Sequence, residues 1–92
     1  GTPIAAADSG RVILAERSGY NGGYGKHVKV DHGNGLVTLY AHMSEVFVNV
    51  GDNVGRGGLL GKIGSTGRST GPHLHFTVYQ NGVAVNPLSL LK

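Results

Sequence analysis

Two histidines separated by one residue, His73 and His75, carry the densest chemical potential in this chain. Neutral imidazole is a metal ligand, and its ordinary titration near neutral pH also suits it to moving protons. Both rings belong to the run His73-Leu74-His75-Phe76-Thr77-Val78-Tyr79, which alternates as a strand with a period of two. Leu74, Phe76 and Val78 fall on one face, and His73, His75, Thr77 and Tyr79 on the other. A rigid strand presenting two imidazoles side by side is the support that a metal or proton-transfer site needs. Gly71 and Pro72 suit the approach and the first position of that strand.

A third histidine, His42, closes a second alternating run. Val37, Leu39 and Ala41 lie on one of its faces, and Leu36, Thr38, Tyr40 and His42 on the other. If the two runs share a sheet, alternation predicts that His42, His73 and His75 converge opposite the apolar residues.

The rest of the chain reads as strands and turns that could hold such a sheet. Strands are predicted over 10–16 and 27–32. Gly33-Asn34-Gly35 then turns into 36–42, and Asn-Gly between alternating runs is a strong hairpin signal. Further strands are predicted over 46–50, closed by Gly51-Asp52-Asn53, and over 59–64. The His-x-His strand turns at Gln80-Asn81-Gly82 and returns through Val83 to Val85. Residues 18–25, with Tyr20 and Tyr24, and 64–71 form two glycine-rich polar loops, and Leu88 to Leu91 could add one helical turn. The outcome is an all-β, single small domain, mainly an antiparallel sheet, with no internal linker and no repeat.

Composition sets limits without naming a function. Ninety-two residues, 39% of them hydrophobic, suit one small domain, and 17 glycines argue for tight turns over a helical bundle. No stretch approaches the ~20 apolar residues of a membrane-spanning helix. The formal charge of +3 comes from scattered residues. It lacks the basic stripe of a nucleic-acid binder but suits a polyanionic partner such as a bacterial cell wall. Without cysteine there are no disulfides and no thiolate zinc sites. The chain begins at Gly1 with no leader-like segment, and we read it as a mature product, an excised piece, or part of something longer.

Several motifs follow one another in order: Gly1-Thr2-Pro3-Ile4-Ala5-Ala6-Ala7-Asp8-Ser9-Gly10, Tyr24-Gly25, Asp31-His32-Gly33-Asn34-Gly35, Tyr40-Ala41-His42, Val50-Gly51-Asp52, Gly64-Ser65-Thr66-Gly67 and Gly71-Pro72-His73-Leu74-His75-Phe76. Together they resemble the lysostaphin-type (LytM-type) zinc metallopeptidases over essentially all 92 residues. The resemblance implies a lysostaphin-like fold of the duplicated hybrid-motif type, with glycine-rich loops flanking a groove. It also implies hydrolysis of peptide bonds in bacterial peptidoglycan, in the cell envelope, periplasmic or secreted. The partners so implied are a peptidoglycan peptide, with no nucleic acid and no membrane span.

Site roles carry over position by position. The second histidine of the family's His-x-His is a zinc ligand, which falls on His75. The first falls on His73, as the general base that takes a proton from the attacking water. The histidine of the Tyr-x-His element falls on His42, which would orient that water or steady the charge on the attacked carbonyl. Tyr20, Tyr24 and Thr77 are candidate substrate-binding residues, and Thr77 stands where many relatives carry glutamate.

One departure shapes the expectation. The family's other two zinc ligands belong to a His-x-x-x-Asp segment, and none of the five histidines here has an aspartate four residues later. Two of the three ligands of the one expected zinc ion are therefore absent from this sequence. The domain is read as 1–92, truncated at its N-terminus and inactive without the upstream ligands, with an open sheet edge beside His75 available for strand exchange or oligomerisation. The alternative is a non-catalytic relative that binds wall or regulates another hydrolase.

Blander readings apply to other residues. His27 is expected to be outward and solvated, His32 to be a turn residue, and Asp52 to stabilise the turn after Gly51. The segment 48–57 also resembles the hairpin of biotinyl and lipoyl carrier domains. Those carriers modify a lysine at a hairpin tip, whereas Lys62 lies inside a predicted strand.

Overall fold

The computed structural model describes residues 2–17, 25–64 and 75–85. Among these are eight strands and no helix: β1 (Pro3–Ala5), β2 (Gly10–Glu16), β3 (Lys26–Gly33), β4 (Leu36–Val46), β5 (Asn53–Val54), β6 (Leu59–Ile63), β7 (His75–Gln80) and β8 (Val83–Val85). Every pairing is antiparallel, in the order β1-β6-β4-β3-β2-β5, with β7 against β4 and β8 against β7. The long β4 organises the sheet. It pairs β3 along one edge, and along the other its first half meets β7 and its second half β6.

Turn chemistry sets the register. Asn34 and Gly35 have φ of 54° and 78°, and Asn81 and Gly82 have 52° and 84°. Positive φ at both central residues makes these type I′ turns, whose twist matches the flanking strands. The two tips meet, the Asn81 amide donating to the Gly35 carbonyl at 2.8 Å. Gly35 is favoured by its φ, and a Cβ there would also push the Asn81 side chain aside.

Val12, Val28, Val30, Tyr40, Met43 and Leu60 are fully buried and form one core cluster with Ile4, Ala6 and Val48. The alternation of β3 is as predicted, with Val28 and Val30 inward. In β4 the apolar face of the sequence is not the one that builds this cluster. Tyr40 joins it, while Leu39 and Ala41, equally buried, lie on the opposite face with Lys29 and His75 across from Leu39 and Ala41 respectively.

The strand predictions need four corrections, one of them that Asn53, expected in a turn, opens β5 with Val54. His42 does not end its strand, because β4 continues to Val46. The stretch after Val46 is not a strand: the Phe47 amide bonds the Leu60 carbonyl, and the chain turns at Asn49–Asp52. Asp52 Oδ2 accepts the Asn49 amide at 2.8 Å there, the turn role expected of it. β1 was not foreseen, since three residues are too few for alternation to register. The helical turn expected over Leu88 to Leu91 lies outside the described residues.

Candidate active site

The site is built around an irregularity in β4. Val28 pairs with Tyr40, but Lys26 pairs with Met43, so β4 carries one more residue than β3 over this interval. That extra residue is a β-bulge, and His42 within it has φ of 57°. A non-glycine residue in this region is uncommon and is often tied to function. The bulge changes what alternation predicts. In β7, Phe76 pairs with Tyr40 and His75 with Ala41. Strict alternation would therefore put His42 on the Tyr40–Phe76 face, away from His75. Because Tyr40 and Met43 both belong to the core, Ala41 and His42 instead share the interval across from His27.

The outcome is a row across three adjacent strands: His27 on β3, Ala41–His42 on β4, and His75 on β7. His42 is 6% exposed, and its carbonyl accepts the Gly64 amide at 3.0 Å, which ties the bulge to the end of β6.

His27, expected to be outward and solvated, is buried at 6% exposure. Its Nδ1 lies 2.9 Å from the Gly25 carbonyl, which can only accept, so Nδ1 carries the proton and Nε2 of the neutral ring is an acceptor. A usable signal was present. From Asp31 to Val28 the hairpin pairs follow a fixed sum with Val37 to Tyr40, and one further step sets His27 against residue 41, beside His42.

His32 is also more than a turn residue. Its Nδ1–H donates to the Ser9 carbonyl at 2.7 Å, and its Nε2 lies 2.8 Å from Thr38 Oγ1. Thr38 Oγ1 in turn lies 2.9 Å from the Tyr40 hydroxyl, which accepts the Ala7 amide at 2.9 Å. Each polar group of this half-buried chain thus has a partner. The network fixes Tyr40, two residues before His42, and joins β3 and β4 to the strand-free segment after β1.

Of the predicted site residues, His73, Tyr20 and Tyr24 lie outside the described residues. Thr77 is half-buried and pairs with Leu39, one rung-pair beyond His75 on the same face. Imidazole suits zinc in kind. In number the described residues fall short, since no three His, Asp or Glu side chains among them come together. Lys62 lies within β6 with its ammonium 3.7 Å from Glu45, not at a hairpin tip, which removes the basis for a carrier domain.

The described residues form an all-β antiparallel sheet with a histidine-bearing bulge in β4, and the comparison of the sequence with known proteins assigns it further. Residues 1–87 match the description of peptidase family M23, a family with metalloproteases among its members, and the chain belongs to it. It is 48% identical over 90 residues to the DD-carboxypeptidase/endopeptidase Mpg of Neisseria meningitidis, covering 98% of this chain and 20% of that protein. Among solved structures it resembles a peptidase M23 of Pseudomonas aeruginosa, with a TM-score of 0.87 and 48% identity over 95% of this chain and 37% of that one. It also resembles the catalytic domain of lysostaphin from Staphylococcus simulans, with a TM-score of 0.86 and 38% identity over 99% of this chain and 71% of that one. The chain spans about a fifth of the length of the curated relatives it matches.

Proposed function

We propose that this domain is the catalytic part of a zinc endopeptidase that hydrolyses peptide bonds of bacterial peptidoglycan in the cell envelope, in the periplasm or outside the cell. The observation that carries the reading is the row of His27, His42 and His75 positions on one sheet face, in a chain of family M23. His75 would hold the metal, with two further ligands from outside these 92 residues. Zinc, when bound, supplies Lewis-acid polarisation and lowers the pKa of water toward neutrality. His73 takes the proton of the attacking water. His42, fixed in the bulge, orients that water or donates to the oxygen that gains charge. Tyr20, Tyr24 and Thr77 contact the substrate peptide.

One feature supports ligands arriving from an upstream segment: the Ile63 amide donates to the Thr2 carbonyl, and Ile63 pairs with Met43, so Thr2 lies close to the bulge.

The test assays the 92-residue domain and an upstream-extended form on purified peptidoglycan, with zinc, with chelator and after zinc is restored. The extended form is expected to be active and chelator-sensitive, and the short form to have little or no activity. In the extended form, His75→Ala abolishes zinc binding, while His73→Ala keeps zinc and lowers turnover by about 10²–10⁴. Robust chelator-sensitive cleavage by the short form would overturn the ligand assignment. An inert extended form with zinc in place would favour a wall-binding role.

A further inference from the structure

A cavity of about 280 Å³ opens on the same sheet face as the histidine row, toward the end that carries the two I′ turns. It is lined by Ile13, Lys29, Val37, Tyr79 and Gly82. Ile13 reaches it through a second bulge. Val12 pairs with Val30 and Leu14 with Lys29, so Ile13 is the extra residue of β2. The lining therefore comes from four adjacent strands, β2, β3, β4 and β7, and from the turn at Gly82.

The lining is apolar but for the Tyr79 hydroxyl and one charge. Lys29 Nζ stands 5.7 Å from the centroid of the Tyr79 ring. That contact holds the ammonium over the cavity while leaving its N–H donors available to an anion. On this face Asp31 accepts the Gly33 amide on Oδ1 at 2.9 Å. Among the described residues, Lys29 is in neither of the two ion pairs.

Position relates this cavity to the histidine row. Along β4, Ala41 leads through Leu39 to Val37, and along β7, His75 leads through Thr77 to Tyr79, all on one face. Four residues separate the row from the cavity, or roughly 13–14 Å at ~3.4 Å per residue. An extended peptide covers about the same distance in four residues. A peptide lying along this face with its reacting bond at His42 and His75 thus brings a group about four residues away over Lys29.

We propose that the Lys29–Tyr79 cavity is a substrate subsite that takes a carboxylate carried about four residues from the cleaved bond, its apolar walls receiving the adjoining peptide. The proposal rests on the peptidoglycan-peptidase reading and adds to it a group that is recognised. A lysine fits this task as a point charge on a flexible stem, tolerant of how the carboxylate is presented.

The experiment measures binding of peptides released from peptidoglycan to the full-length protein, comparing peptides with free carboxylates and the same peptides after amidation. The wild-type protein should prefer the acid form by roughly three- to tenfold, the scale of one partly exposed charge pair, and raised salt should erase the preference. Lys29→Gln should remove the preference while leaving affinity for the amidated peptide unchanged, and Lys29→Glu should invert it. In turnover, Lys29→Gln should raise KM for long acid substrates, leave kcat alone, and leave substrates too short to reach the cavity unaffected.

Equal wild-type affinity for acid and amide, or a preference that survives Lys29→Gln, would overturn the subsite while peptide binding itself keeps the peptidase reading. Failure of any wall peptide to bind, or binding only of peptide-free glycan strands, would overturn both.

Discussion

Tyr40 and Met43 are three residues apart on one strand, yet both are buried in the same core. Strict alternation forbids this, and the bulge with its positive φ at His42 permits it. The sheet thereby turns a histidine that would have been packed under Phe76 toward the row shared with His27 and His75. The local backbone cost of this arrangement is of order 1–2 kcal/mol for a residue other than glycine or asparagine.

His42→Asn is therefore expected to fold with stability within about 1 kcal/mol of the parent, since asparagine tolerates this φ. Turnover of the extended enzyme should nevertheless fall by about 10²–10⁴. His42→Val, β-branched at a positive φ, should in addition lose stability. Chemical denaturation and peptidoglycan cleavage measured on the same preparations separate the two effects.

The hydrogen-bonded chain from Ala7 through Tyr40 and Thr38 to His32 and Ser9, half-buried at its centre, is expected to behave as a unit. Tyr40→Phe leaves the Ala7 amide and the Thr38 hydroxyl short of a partner and should cost about 1–3 kcal/mol. Thr38→Val should cost a similar amount. The double variant should cost clearly less than the two together, and simple additivity in a denaturation cycle would show that the chain is not coupled.

Gly61 and Gly55 should respond oppositely to alanine. At Gly61 a Cβ would lie 2.0 Å from the Glu45 carbonyl oxygen and 2.5 Å from Met43 Cε, so β6 must move off β4, at a cost of about 2–4 kcal/mol. At Gly55 nothing lies within 4 Å, and the change should stay within about 0.5 kcal/mol. Midpoints of thermal unfolding check both, and a tolerant Gly61 would contradict the β4–β6 register.

The Ser9 amide, and after it the Arg56 guanidinium 3.5 Å away, hold the Asp8 carboxyl below its usual range. A depressed carboxylate favours folding above its unfolded pKa, and that contribution fades as pH falls through the folded value. Arg56→Gln should raise the Asp8 titration midpoint only in part, since the Ser9 amide remains. An NMR titration that returns Asp8 to its ordinary range in this variant would assign the shift to Arg56 alone.

Much of this protein is legible in its residues. Alternation in 27–32, 36–42 and 73–79 pointed to strands, because a half-buried sheet repeats every two residues, and the β-branched run 10–16 pointed to another. The Asn-Gly pairs gave the hairpins, because few residues accept positive φ twice in succession. The ordered motifs pointed to the family that the whole-chain comparison supports.

What lay beyond the sequence is where alternation breaks. A bulge inserts one residue into one strand, and its position depends on the register of the partner strand, a non-local property that no short window contains. Tertiary structure alone moved His42 off the Phe76 face, joined His32 to Tyr40, and brought Ile13 beside Lys29. Each of these rests on pairing between strands distant in sequence or shifted by a bulge, where local spacing misplaces a side chain by one face.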